Sequence, residues 1–278
     1  MVRYDYGKER VVMLKKDEKL RINSIVSSRL SYFLESFKKR HIGKAKSAKG
    51  SINMKSQNVF INKLPRELMY YSALVRSFDS AFGHVLENIA LEIARNYYHV
   101  SQEVVGKIDV RQSDHINDIL TNYNRRKFKP EVGHYANYNT PPFSLGDIRH
   151  NTDHLFYDDE TQIHHIIELK AGGDLDNKKA RAEKQALLEQ FFILKNKNEN
   201  AGIKLHFATA YNKFGEGNKW VQPNVETFFA KEELLIGKDF WNFVCKNENG
   251  FDVVIEAYNQ NIHIIVQALE EIKEAYGI

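Results

Sequence analysis

The stretch Asn151–Gly173, NTDHLFYDDETQIHHIIELKAGG, carries the strongest pattern in this chain. Two runs suited to strands, Thr152–Tyr157 and Gln162–Lys170, flank the polar Asp158-Asp159-Glu160-Thr161, which predicts an antiparallel hairpin. A turn centred on Asp159 sets Asp153 opposite Ile166, about one residue pair from Glu168. The two-residue period of a strand puts Ile166, Glu168 and Lys170 on one face, with Ile167 and Leu169 on the other. Two carboxylates and an ammonium then converge where a strand leaves its sheet. Such a set suits a hard divalent cation, because Mg²⁺ takes a few carboxylate oxygens and keeps water and substrate phosphate in its other positions. Asp153 and Glu168 would supply the carboxylates and the carbonyl of Leu169 a further ligand. Lys170 would hold or help deprotonate an attacking water and offset charge on a phosphate.

The spacing (D/E)-x-K is by itself common, and this chain has it at Asp17, Glu168, Asp176 and Glu271. Three of these fall in helical or capping contexts, where an acid near a lysine is ordinary surface charge. Only Glu168-Leu-Lys170 ends an apolar strand and is preceded by an aspartate across a turn. The competing structural explanation is a salt bridge at a sheet edge.

After the hairpin, Gly172-Gly173 breaks the pattern, and Asp176 or Asn177 caps a helix expected from Lys178 to Leu194. Ala180, Leu187, Phe191 and Leu194 form its buried stripe. Ile203–Tyr211 reads as a buried strand and Val253–Tyr276 as mostly helical. On the N-terminal side, residues 9–40 carry Val12, Leu20, Ile22, Ile25, Val26, Leu30 and Phe33 at helical spacing. Pro65 opens a second helix reaching about Tyr98, with Phe78, Phe82, Val85, Ile89, Ile93 and Tyr97 as its stripe. Residues 121–146 read as a long loop bearing the basic cluster Arg125, Arg126, Lys127 and Lys129. This order predicts one α/β domain, a mixed sheet flanked by helices with the N-terminal helices attached.

The 278 residues are 42% hydrophobic and 27% charged, the composition of a globular chain able to bury a large core without disulfides. The single cysteine, Cys245, excludes an internal disulfide and points to a cytoplasmic protein. No apolar run approaches the ~20 residues that cross a bilayer, so no membrane role is expected. The net charge of +4 is unevenly spread: Ser36–Arg66 holds nine Lys or Arg, among them Lys44, Lys46 and Lys49, and no Asp or Glu. The Gly/Lys/Ser stretch within it, residues 41–55, reads as a loop or arm. A basic segment on an otherwise acidic chain suggests a polyanionic partner, although a solvated loop would look the same.

These residues resemble the PD-(D/E)xK nuclease superfamily, and within it the type II restriction endonucleases. Asp153, Glu168, Leu169 and Lys170 match the motif, with Thr152 in place of the usual proline. AFGHVLENIALEIA offers Glu87 as the supporting glutamate many members carry on a preceding helix, with Glu92 the weaker candidate. IIELKAGGDLDNKKARAEKQALLEQ and FATAYNKFGEGN look more particularly like the TdeIII-type enzymes, a likeness covering about residues 78–240. The resemblance implies a restriction-endonuclease-like fold with an N-terminal helical region (1–75), a nuclease core (76–240) and a C-terminal helical region (241–278). It implies Mg²⁺-dependent cutting of double-stranded DNA, a homodimer, and a cognate DNA methyltransferase as functional rather than physical partner. Lys178, Lys179, Arg181, Lys184 and Gln185 become positions that approach DNA, beside Lys44, Lys46, Lys49, Arg125 and Arg126. The TdeIII-type likeness implies a short interrupted palindrome such as GGNCC.

Other constellations compete poorly. His150, His154, His164 and His165 invite a zinc reading, but His164 and His165 point to opposite sides of one strand. Asp109 and Asp147, in or near loops, compete with Asp153 but are offset from Glu168. Gly215-Glu-Gly217 is too short for a nucleotide loop. Cys245 reads as a small buried residue. A DNA-repair nuclease or junction resolvase, or a DNA-binding protein that has lost catalysis, are the alternatives to a restriction enzyme.

Overall fold

The computed structural model describes residues 14–50, 53–138 and 145–278, with the backbone alone over 145–153. It divides into two compact units, one of residues 93–251 and one of Leu14–Glu92 with Asp252–Ile278.

The first unit holds a five-stranded sheet in the order β1-β2-β3-β4-β5. Its strands are β1 (His99–Asp109), β2 (Leu145–Asp158), β3 (Ile163–Lys170), β4 (Gly202–Thr209) and β5 (Leu234–Ile236). β2 is antiparallel to both its neighbours, β1 and β3, whereas β3, β4 and β5 run parallel. A parallel step needs a crossover, and α5 (Asn177–Lys197) makes it between β3 and β4. Asp176 caps this helix by accepting from the Lys179 N–H at 2.8 Å, satisfying a donor the first turn leaves unpaired. Ala180, Leu187, Leu188 and Phe191 then pack with Ile166, Leu205 and Phe207 of the sheet, together with α3 (Val110–Asn124) and Tyr135 of α4 (Gly133–Ala136). The single turn α6 (Pro223–Glu226) closes the same core through Val225. Across the sheet, α7 (Lys238–Val244) sets Phe243 against Tyr98 and His165. Cys245 is buried after α7.

The second unit is helical: α1 (Lys16–Ile42), α2 (Arg66–Ala94) and α8 (Gly250–Ala275). Phe33, Phe37, Phe78 and Phe82 form an aromatic seam between α1 and α2, with Tyr258 of α8 on Phe82. The ion pair Lys38–Glu271 at 2.8 Å ties α1 to α8. Ile22, Val26, Leu30 and Phe33 are buried as the periodicity predicts, but Leu20 is 61% exposed, and Val12 lies outside the described residues. No described helix is long and apolar enough to cross a membrane.

Three expectations need correction. The hairpin turn sits later than expected: Asp158 pairs with Ile163 and Leu155 with Ile166, so Asp153 is not opposite Ile166. Residues 121–146 are not one long loop, for α3 reaches Asn124, α4 follows and β2 begins at Leu145; 139–144 lie outside the described residues. Asp109 and Asp147 are not loop acids: Asp147 lies inside β2, and Asp109 ends β1 and caps α3, accepting from the Arg111 N–H at 2.8 Å.

Candidate active site

The corrected register changes what meets at the end of the hairpin. The last pair of the β2–β3 ladder is His154↔Ile167. One step further along, the next positions on the two strands are Asp153 and Glu168. On the other side of β2, Ser101 pairs with Leu155 but Glu103 already pairs with Asn151. Three residues of β2, 152–154, therefore stand level with the single Gln102, two more than a regular ladder holds, and the irregularity spans Asp153. Bulges of this kind bend a strand and end its pairing, and they are over-represented beside active sites.

Glu168 and Lys170 follow Ile166 on the face of β3 that α5 covers, as the strand period requires. The Lys170 Nζ contacts Glu168 Oε1 and lies 3.1 Å from Glu183 Oε1 of α5. All three side chains are half-buried, with Glu168 the least exposed at 14%. Burial alone would lower the Lys170 pKa, but the charges and hydrogen bonds of Glu168 and Glu183 outweigh it and hold the ammonium above the usual lysine range. Lys170 is thus a fixed cation at neutral pH. Leu169 points the other way, into the core, at 2% exposure.

Gly172 and Gly173 shape the exit from β3. Gly173 has φ +73°, and a Cβ there would lie 2.6 Å from Thr209 Cγ2; one on Gly172 would lie 2.6 Å from Tyr211 Oη. Glycine lets β4 and its following loop close against the chain just past Lys170, where the Ala210 N–H donates to the Lys170 carbonyl at 3.1 Å. The loop after β4 is braced internally: Asn212 N–H donates to Glu216 Oε1 at 2.7 Å, and the Asn218 side-chain amide to the Phe214 carbonyl at 2.6 Å. Gly215-Glu-Gly217 belongs to this brace.

The remaining candidates distribute as follows. Lys178 and Lys179 are exposed on the first turn of α5, Lys179 lying 3.8 Å from Asp176, and Arg181 is half-buried. Lys184 cannot reach DNA: it is 1% exposed and paired with Glu233, its Nζ 4.8 Å from the centre of the Tyr135 ring. Gln185 donates to Glu189 at 3.0 Å. Arg125 and Arg126 are exposed after α3. Lys44, Lys46 and Lys49 are exposed on the turns after α1, in the other unit. That stretch is not a featureless arm, since Ala45 is buried and the Asn53 side chain donates to the Ala45 and Ser47 carbonyls at 2.7 and 2.9 Å. Glu87 also belongs to that unit, on α2, 2.9 Å from His84 Nδ1. His165 turns to the face away from Glu168, where its Nδ1 lies 3.0 Å from His206 Nε2; burial lowers its pKa to about 4. Among the described residues no group of three or more His, Cys, Asp or Glu is placed to hold a metal ion; the side chain of Asp153 is not among them.

Glu183 is a site residue that the motif does not single out. It lies three residues after Ala180 and four before Leu187, on the buried stripe of α5, where an unpaired carboxylate would be costly. That position is the signal the sequence offers for it.

A mixed sheet whose antiparallel hairpin ends in a glutamate–lysine pair, with a crossover helix leading to a parallel strand, defines a restriction-endonuclease-like nuclease. The chain matches the family model described as type II restriction endonuclease, HinfI, over residues 18–261, and it belongs to that family. It is therefore a sequence-specific, site-directed deoxyribonuclease by family, which sets aside the repair-nuclease and resolvase alternatives. No curated protein matches it. Because the matching family is HinfI, the narrower TdeIII-type likeness gains no support, and the GGNCC-like site that rested on it is not carried forward.

Proposed function

We propose that the chain makes Mg²⁺-dependent double-strand cuts as the endonuclease of a restriction–modification system, acting as a homodimer at a palindromic site. The observation that carries this reading is Lys170, held as a cation beside Glu168 where β3 runs level with Asp153. The donor set fits the metal: Glu168 offers hard oxygen in a half-buried place, and Asp153 occupies the next register position. Asp153, Glu168 and the Leu169 carbonyl are assigned as ligands. When bound, Mg²⁺ would polarise the scissile phosphate and make water more acidic.

Lys170 holds the attacking water and offsets the charge that grows on the phosphate oxygens as water attacks. The water oxygen bonds to phosphorus, the bond to the departing sugar oxygen breaks, and that oxygen takes up a proton. Lys170 is assigned to hold that water or to help deprotonate it. Glu87 is assigned a supporting role on the resemblance alone. Lys44, Lys46, Lys49, Arg125, Arg126, Lys178, Lys179 and Arg181 are assigned to the DNA backbone, with the methyltransferase protecting the same sites in the host.

Plasmid DNA with Mg²⁺ tests this: discrete bands are expected. Glu168→Ala and Lys170→Ala should each lose cleavage by roughly 10²–10³-fold or more. Both should still bind the plasmid in Ca²⁺. Cutting at the native rate by either variant would remove the assigned site.

A further inference from the structure

We infer that Glu183 is a positioning residue that holds Lys170 so that Glu168 is left for the metal; this rests on the metal-binding reading of Glu168. Glu168 and Glu183 both approach the same ammonium, from β3 and from α5 respectively, Glu183 at 3.1 Å. One lysine cannot neutralise two carboxylates, so the trio carries a net negative charge that favours a cation. If Glu168 turns to a divalent ion, its hold on Lys170 weakens, and the ammonium is repelled by the incoming charge. A second carboxylate on a different, rigid element keeps Lys170 in place through that exchange. Without Glu183, Lys170 would have Glu168 as its partner and would compete with the metal for it.

The placement of Glu183 supports a dedicated role over an incidental surface pair. Its neighbours on the stripe, Ala180 and Leu187, are fully buried, and Lys184 beside it has its own partner in Glu233. Glu183 is thus anchored by a packed helix. Positioning by a rigid element of this kind is what a site with fixed geometry requires.

The test is Glu183→Gln, which removes the charge and keeps the shape. Single-turnover cleavage at saturating DNA should slow by roughly 10- to 100-fold, the range for losing a group that orients a metal site. The DNA Kd measured in saturating Ca²⁺ should stay within about twofold, and the Ca²⁺ concentration giving half-maximal DNA binding should rise. Glu183→Asp should recover part of both effects, and it carries the test if Glu183→Gln proves unstable. In a Lys170→Met background, Glu183→Gln should have little further effect on the Ca²⁺ midpoint. Native cleavage by Glu183→Gln, or the same Ca²⁺ shift with and without Lys170, overturns the inference. If instead Glu168→Gln cuts normally, the metal reading has failed, whatever Glu183 does.

Discussion

Lys170 and Lys184 show how differently two lysines near one helix are used. Lys170 stays half-open between two carboxylates. Lys184 is buried among Tyr135, Phe229 and Glu233, and burial pulls its pKa below the usual lysine range against the raising effect of Glu233. Glu233 in turn accepts from Tyr135 Oη at 2.6 Å and from the Ala230 N–H at 2.7 Å, so this cluster fastens α4 and α5 to the approach to β5. Removing one partner of a buried pair leaves the other charge uncompensated. Lys184→Met should therefore lower unfolding stability by about 3–5 kcal/mol, read from the urea midpoint. A loss under about 1 kcal/mol would mean that Glu233 takes up a proton at little cost. Lys184 lies on the buried stripe by spacing, four residues after Ala180 and three before Leu187, but the run of charged residues around it disguises that position as a solvated face.

The elements are legible where periodicity is strong and hidden where a single residue takes an unusual conformation. The hairpin, α5 and β4 follow from apolar spacing. The hairpin register does not, because Gln162 adopts φ 58° without being glycine or asparagine. Its N–H donates to the Asp158 carbonyl at 2.8 Å and its side-chain amide to the Asp159 carbonyl at 2.7 Å, and the four-residue turn sits one residue later than the polar run suggests. β1 is hard to find in the sequence because it is an edge strand exposing Ser101, Gln102 and Glu103, so no apolar run marks it. Glu168 and Lys170 are legible from the motif, and Glu183 only from the helical stripe. The face opposite the site has its own signature in His165 and His206, which lie on neighbouring parallel strands. Burial lowers both pKa values, that of His165 to about 4, so each favours the neutral form when folded. Their contribution is complete above the unfolded value near 6.5 and is lost as pH falls toward 4, with a limiting slope of about 1.4 kcal/mol per pH unit for each. Thermal melts at pH 7 and pH 5 should show the loss, and His165→Phe with His206→Leu should reduce it. Buried His41 of the other unit, also lowered to about 4, keeps part of the slope in that variant. An unchanged slope in the double variant would show that the pair does not titrate with folding.

Charge and symmetry connect the chain as a whole to its substrate. A palindromic site presents the same groove edges twice, so two chains related by a two-fold axis match it. Sedimentation on duplex DNA should give two chains per site, and one chain would contradict the dimer. Replacing Lys44, Lys46 and Lys49 by Gln should weaken binding to all sequences alike. It should also flatten the log–log salt slope by about 0.9 for each phosphate no longer neutralised. An unchanged slope would make the segment merely solvated. The proposed chemistry stands or falls on Asp153, rather than another acid of the same sheet, completing the site with Glu168 and Lys170. Plasmid cleavage in Mg²⁺ by Asp153→Ala, Asp109→Ala and Asp147→Ala, run side by side, decides this. Asp153→Ala should leave the plasmid intact while still binding it in Ca²⁺. Asp147→Ala should cut, and so should Asp109→Ala below its melting temperature, since that change costs a helix cap of about 0.5–2 kcal/mol. Normal cutting by Asp153→Ala, with either of the other two inactive though folded, would contradict the assignment.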